Sequence, residues 1–266
     1  MTDTPASMSY GGYLGLDQLL TAQHPLSEHH DELLFIILHQ TKELWLKQAI
    51  HELAISRRLI RDDQLFQVHK SLSRVSRIQS VMTLTWDVLA TLTPSDYSSF
   101  RDVLGSSSGF QSAQFRQFEY MLGIKDGAHL RHQPDGSEPH VSLHRALHEP
   151  SLWDEANAAL ARAGFDLPRE VLERDWSETY QPHQAIEDAW AQVYRDPEAW
   201  WPLYQLAEKL VDIDDSLVTW RHKHVVTVER VIGLKRGTGG TAGVAYLRST
   251  LSKRAFPELW ALRTQV

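Results

Sequence analysis

Two histidines in this chain occupy helix positions that an apolar residue would ordinarily fill. The segment from Phe35 to Trp45 reads FIILHQTKELW, and at helical spacing His39 shares a stripe with Phe35, which points its imidazole inward. Counting from His224 in both directions gives Leu217, Trp220, Val228 and Val231, a second apolar stripe interrupted by an imidazole. His222, two residues away, has Asp215 and Glu229 seven residues to either side and belongs on a solvent face. A buried imidazole needs a partner, because it can donate, accept, bind a metal or change charge near neutral pH. Each histidine taken alone also reads as a core residue bonded to a backbone carbonyl. Two of them, on two separate long helices, point to a site inside a bundle.

Two further groupings could do chemistry. Tyr97 and Arg101 are four apart and are expected to share a helix face, where a guanidinium with two parallel donors and a phenol suit a carboxylate. A surface arginine on an amphipathic helix is the plainer alternative. The loop Lys235-Arg236-Gly237-Thr238-Gly239-Gly240-Thr241 is basic and glycine-rich, so its backbone can approach a ligand closely. It is not a phosphate-binding P-loop, since the lysine precedes the glycines and a helix, not a strand, precedes the lysine. It reads either as a plain flexible loop or as one that closes over a small anionic ligand.

Composition narrows the classes. At 266 residues, with 42% hydrophobic and 23% charged residues, the chain has the make-up of an ordinary globular protein able to bury a substantial core. A net charge of −7 without a long basic run gives no footprint for nucleic acid. No apolar run reaches the length of a membrane span and the first nine residues do not resemble a signal peptide, so a cytoplasmic protein without a membrane partner is expected. The absence of cysteine excludes disulfides, Cys-ligated zinc, iron–sulfur clusters and thiolate-ligated haem. Any metal must use histidine, carboxylate, tyrosine or methionine. The neutral imidazole of a helix is the common protein ligand of haem iron outside the thiolate class.

The elements that must position these residues read as all-α, because apolar residues recur at three and four and no alternating β-branched run is bounded by hairpin turns. After a mobile start over residues 1–9, a short helix is expected from Tyr10 to Gln23, interrupted early by Gly11 and Gly12. Long helices follow from about Asp31 to Arg61 and from about Gln64 to Ala90. They are joined by the short charged turn Arg61-Asp62-Asp63 and so should form an antiparallel hairpin. Thr93 caps a helix with Pro94 at its first position, GSSSG at 105–109 breaks it, and another segment runs from about Gln111 to Leu122. Gly123 to Pro139 reads as loop, with helices returning near Pro150 to Ala163, near His183 to Tyr194, and from about Trp201 to Ile232. Residues 10–266 are expected to form one domain, with a possible inserted helical subdomain around 123–195.

Across these elements the chain resembles the tryptophan 2,3-dioxygenase family. The matching stretches are YGGYLGLDQLL at Tyr10, FIILHQTKELWLK at Phe35, TPSDYSSFRDVLGSSSGFQS at Thr93, WRHKHVVTVERVIGLKRGTGGTAGV at Trp220 and FPELWALRT at Phe256. The resemblance implies an all-helical homotetramer that uses ferrous haem b and O2 to cleave the indole ring of L-tryptophan to N-formylkynurenine. It implies that His224 is the proximal iron ligand and His39 the distal histidine that hydrogen-bonds the indole N–H. It further implies that Phe35 walls the indole pocket, that Arg101 and Tyr97 hold the substrate carboxylate, and that Thr238 engages the amino-acid end as its loop closes. Tyr13 and Leu14 would enter the neighbouring subunit's site, and Tyr10, Trp86, Ser108 and Gly109 would line the haem. Leu38, beside the distal histidine, departs from a position that is often polar in relatives. Because some relatives on this fold insert a single oxygen atom into indole or phenol substrates, a haem mono-oxygenase of a tryptophan derivative or other aromatic amino acid is the alternative reaction.

Overall fold

The computed structural model describes residues 9–240 and 242–266, and among these there is helix and connecting loop but no strand. The expectation of a mobile start falls, but for Ser9, on residues outside that range. The all-α class is borne out.

The N-terminal segment forms two short helices, α1 (Tyr10–Leu14) and α2 (Leu16–Leu19). The interruption is at Gly15, which takes φ +62°, and not at Gly11 and Gly12, which stay helical. A left-handed residue is what ends a helical turn, and a glycine adopts it without steric cost. Next comes α3 (His30–Arg61), with His29 as its flanking residue and Asp31 and Glu32 in its first turn, favourable for the helix dipole. The three-residue joint, in which Asp63 adopts φ +52°, leads to α4 (Leu65–Leu89).

Apolar spacing builds the centre. Leu38, Leu46, Ala49, Leu53 and Ile60 of α3 meet Val68, Leu72, Val75, Ile78 and Met82 of α4, all nearly or fully buried, and burying each leucine or isoleucine stabilises by about 1.5–3 kcal/mol. Polar cross-links fix the register: the Ser56 hydroxyl donates to Ser71 Oγ at 2.8 Å, and Gln79 Nε2 donates to the Ile213 carbonyl at 3.1 Å.

The next helix, α5 (Pro94–Phe100), carries the expected cap, with Thr93 and Asp96 bonding each other's backbone. It stops at Phe100, short of the break that the sequence places at Gly105. Phe100, at φ −119° and ψ 0°, turns the chain into a 3-10 segment over Arg101–Leu104, so Arg101 lies outside the helix that carries Tyr97. Past GSSSG come α6 (Ala113–Leu122) and, after a 3-10 turn at Gly127–His132, a helix that the sequence reading took for loop and gap, α7 (Glu138–His148). Ser137 caps α7, and Leu143, Ala146 and Leu147 form its buried stripe. Three histidines and an early proline hid that stripe. The segment then gives α8 (Leu152–Arg162), α9 (Arg169–Leu172) and α10 (Gln184–Arg195), with Trp190 Nε1 donating to Asn157 at 3.0 Å between α8 and α10. Buried residues of this stretch belong to the same continuous core as α3 and α4.

The last long helix, α11 (Trp201–Ile232), has the bounds read from the sequence and packs along α4. After it, α12 (Val244–Ser249) and α13 (Pro257–Ala261) are short helices that the sequence did not announce. Asp214 of α11, fully buried, fastens the C-terminal segment by accepting from Ala255 N–H at 3.0 Å and Trp260 Nε1 at 2.9 Å. No described helix is long and apolar enough to cross a membrane.

Candidate functional site

His39 and His224 open on one cavity. It lies between α3, α4, α5 and α11, is closed at one end by Ser107–Phe110 and the loop after α11, and includes Phe35, Trp86, Tyr97, Ser108, Gly109 and Thr238 in its lining. Eight of the residues singled out from the sequence thus converge from six separate stretches of chain. The open volume is about 240 Å³, just under the roughly 300–1,000 Å³ of a common small-molecule site.

His39 has the backbone bond of a core histidine and also lines the cavity. Its Nδ1 bonds the Phe35 carbonyl of its own helix at 2.7 Å, which makes Nδ1 the protonated nitrogen and leaves Nε2 as an acceptor. Burial, and then the nearby Lys42, push its pKa down to about 4, so the ring is neutral near pH 7. The Phe35 ring lies 4.2 Å from the imidazole and 6.0 Å from that of Tyr97, giving an aromatic wall beside an unpaired acceptor.

His224 lies in the apolar stripe of α11 between Leu217 and Trp220 on one side and Val231 on the other. It is only half-buried because the stripe opens on the cavity. The indole of Trp86 stacks on it at 4.3 Å with an 11° tilt, and Trp220 lies 5.1 Å away. Among the described residues no hydrogen bond reaches its ring. Burial, then Lys42 and His39, push its pKa down to about 3, so it presents a lone pair rather than a charge. His222 is exposed, as its acidic neighbours imply.

The described residues contain no group of three His, Cys, Asp or Glu side chains able to hold a metal ion. A metal bound at His224 would therefore arrive carrying most of its own ligands.

The loop after α11 is folded over the cavity mouth. Thr238 Oγ1 donates to the Ser107 carbonyl at 2.5 Å, and Arg101 Nη2 donates to the Arg236 carbonyl at 2.5 Å. Gly239 lies so close to Ser108 that an added Cβ would come within 2.6 Å of its Cβ, and Gly243, at φ +60°, leaves 2.5 Å to the Lys235 carbonyl oxygen. Both close approaches require glycine. Arg101 is thus a tie at the loop and not part of the cavity lining, while Tyr97 is in the lining. Leu38 is 4% exposed in the core behind the histidine and does not reach the cavity.

Tyr10 and Tyr13 are 78% and 74% exposed and Leu14 is 44% exposed. In a single chain they stand away from the cavity.

Sequence reading passed over the charged part of the lining: Lys42, Glu43, Arg116, Glu119 and Arg221. Glu119 pairs with Arg116 at 2.6 Å and with Arg221 at 2.7 Å, all three buried. Burial alone would raise the Glu119 pKa, but the two guanidiniums together outweigh it and hold the carboxyl below its ordinary range. Arg221 also donates to the carbonyls of Thr250 and Lys253, so this triad fastens α11, one turn from His224, to α6 and to the segment after α12. The one signal available beforehand was Lys42 itself, a charge in the same apolar stripe as His39.

Comparison with known proteins follows this geometry. The family model for tryptophan 2,3-dioxygenase matches residues 2–140 and 183–266, the two segments that carry His39 and His224. The chain is 60% identical over 259 residues to tryptophan 2,3-dioxygenase of Caulobacter vibrioides, covering 97% of this chain and 98% of that protein. It is 51% identical over 265 residues to that of Bacillus thuringiensis subsp. konkukian, covering 100% and 95%. For Ralstonia pickettii the figures are 52% over 264 residues, 99% and 95%. Matched over 97–100% of its length by these relatives and carrying a neutral histidine on α3 and another on α11, the chain belongs to the tryptophan 2,3-dioxygenase family.

Proposed function

We propose that this enzyme oxidises L-tryptophan with O2, cleaving the indole C2–C3 bond to give N-formylkynurenine, with haem b held through His224. The observation that carries the reading is the opening of His39 and His224, from α3 and α11, onto one cavity.

The donor set fits haem. His224 would hold the iron, since it offers a neutral imidazole whose ring is free of other partners among the described residues. The Trp86 indole stacked at 4.3 Å holds that imidazole in one plane. The indole N–H groups of Trp86 and Trp220 and the Lys42 ammonium are buried without partners, as polar groups facing an absent ligand would be. The loop beside the cavity is tied by the Thr238 and Arg101 bonds. When bound in the ferrous state, haem supplies the activation of O2.

The chain's own residues hold and orient the substrate. Phe35 and Tyr97 provide apolar and aromatic walls for an indole, and His39 Nε2 accepts from the indole N–H. Because that acceptor is buried, a ring system without an N–H leaves it unsatisfied at a cost of about 1–3 kcal/mol. His39 fixes orientation in this scheme and need not take the proton. Loop closure through Thr238 excludes water and brings its hydroxyl to the amino-acid end of the substrate. Arg101, tied to the same loop, receives the carboxylate when the Arg236 carbonyl gives way, since a carboxylate is the stronger acceptor. Tyr10, Tyr13 and Leu14, exposed on the N-terminal helices, serve the site of a neighbouring subunit in a homotetramer.

Mass spectrometry of the product formed under ¹⁸O2 tests the reaction. Two labelled atoms in a ring-opened product are expected, and a product with one labelled atom and an intact ring would refute it.

A further inference from the structure

The buried stripe of α3 from Leu38 to Ile60 has three polar members, Lys42, Glu52 and Ser56; Glu52 and Ser56 are bonded to neighbouring side chains, while Lys42, 6% exposed, is not. Its Nζ has no hydrogen-bond partner and sits 2.9 Å from the centre of the Trp86 ring. His224 stacks on the same indole at 4.3 Å, so one ring of the cavity wall touches both the Lys42 amine and the imidazole. A cation–π contact offsets part of the desolvation of an ammonium, but not the lack of a counter-charge.

The charges lining the cavity show what is missing. They are three cations, Lys42, Arg116 and Arg221, and two carboxylates, Glu43 and Glu119. Glu119 is taken by both arginines. Glu43 accepts from the Ser112 hydroxyl at 2.6 Å and from Gln114 Nε2 at 2.7 Å, and no ion pair joins it to Lys42. Lys42 is therefore the one lining lysine or arginine without an acid among the described residues, and burial without a counter-charge pushes its pKa down to about 6, so the amine holds its proton firmly only with an anion beside it. A long buried amine with three donors and no acceptor is a costly group to keep in a core, and an incoming anion is what would satisfy it.

We propose that Lys42 receives a carboxylate of the planar aromatic ligand that fills this cavity, either a propionate of the porphyrin or, shared with Arg101, the carboxylate of the amino acid. The inference rests on the haem-and-tryptophan reading above and adds to it a charge-matching residue on α3. Its position one turn beyond His39 places the anion-receiving group and the indole-orienting group on one rigid helix.

Binding of metal-free protoporphyrin IX and of its neutral diamide to the haem-free protein, followed by quenching of tryptophan fluorescence, tests the porphyrin arm without any iron–histidine bond. Wild type should prefer the diacid by roughly 10- to 100-fold, the scale of a charge-assisted bond. Lys42→Met should lose most of that preference and bind the diamide as before, and Lys42→Arg should keep it. In the haem-loaded protein, tryptophan is compared with tryptamine in the same way. Loss of the first preference assigns the porphyrin carboxylate, and loss of the second assigns that of the amino acid. Unaltered preferences in both arms overturn the proposal.

Haem-free Lys42→Met should also melt at the wild-type temperature or a few degrees above it, because an unpaired amine has been replaced by an apolar chain of similar length. A fall of several degrees would assign Lys42 a structural role instead and overturn the inference. Failure of wild type to bind haemin or porphyrin at all would refute the reading of function itself, a result distinguishable from an unchanged Lys42→Met.

Discussion

Substituting Glu119 by glutamine separates the fastening of α11 from the chemistry of the cavity. Glu119 is 5% exposed and holds Arg116 and Arg221, themselves 8% and 3% exposed, at 2.6 and 2.7 Å. Glutamine keeps the shape and one acceptor but removes the charge, leaving two buried guanidiniums without an acid. Breaking a buried pair in this way costs about 3–5 kcal/mol. For a chain of this size each kcal/mol lowers the melting temperature by roughly 2–4 °C, so calorimetry at pH 7 should show a drop of roughly 6–20 °C. The pH dependence gives an independent check. The folded carboxyl titrates below its ordinary value of 4.5, so the stability it contributes is fully present above pH 4.5 and is lost as pH falls through the folded pKa. The gap between wild type and Glu119→Gln should therefore be constant from pH 5 to 7 and close in more acidic solution. A melting temperature within about 2 °C of wild type at pH 7, or a gap that widens on acidification, would refute the reasoning.

Three further substitutions probe the site. Gly239→Ala places a methyl 2.6 Å from Ser108 Cβ, so the loop must lift; KM for tryptophan should rise several-fold with the melting temperature held, and an unchanged KM would count against loop closure over the substrate. His39→Ala should slow turnover and narrow the preference for tryptophan over 1-methyltryptophan, which wild type should hold at roughly 5- to 150-fold from one unsatisfied acceptor; equal preferences in both proteins would remove His39 from the indole N–H. His224→Ala, produced with haem supplied, should lack the Soret spectrum of wild type, and an identical spectrum would remove His224 as the iron ligand.

Much of the fold is legible in the sequence because its signals are local. The apolar stripes of α3, α4 and α11 recur over seven to nine turns, and the caps at Thr93 and Ser112 sit where hydroxyl side chains meet helix starts. Where short elements depend on tertiary packing, as α7, α12 and α13 do, the local pattern is too brief or too polar to announce them. The same division applies to the site. His39 and His224 betray themselves because an imidazole in an apolar stripe violates the local pattern, and by that criterion Lys42 was equally visible.

The sequence by itself determined the helical class, the long helices and the inward direction of two imidazoles, since each follows from the periodicity of a single segment. Only the tertiary structure decided that these imidazoles open on one cavity and that Arg101 ties the loop at Arg236. It also decided that Glu119 is shared by two arginines while Lys42 is left without an acid. The physical reason is that pairing and burial belong to distances between segments far apart in the chain, 102 residues for Glu119 and Arg221, and no periodicity within a segment encodes those distances.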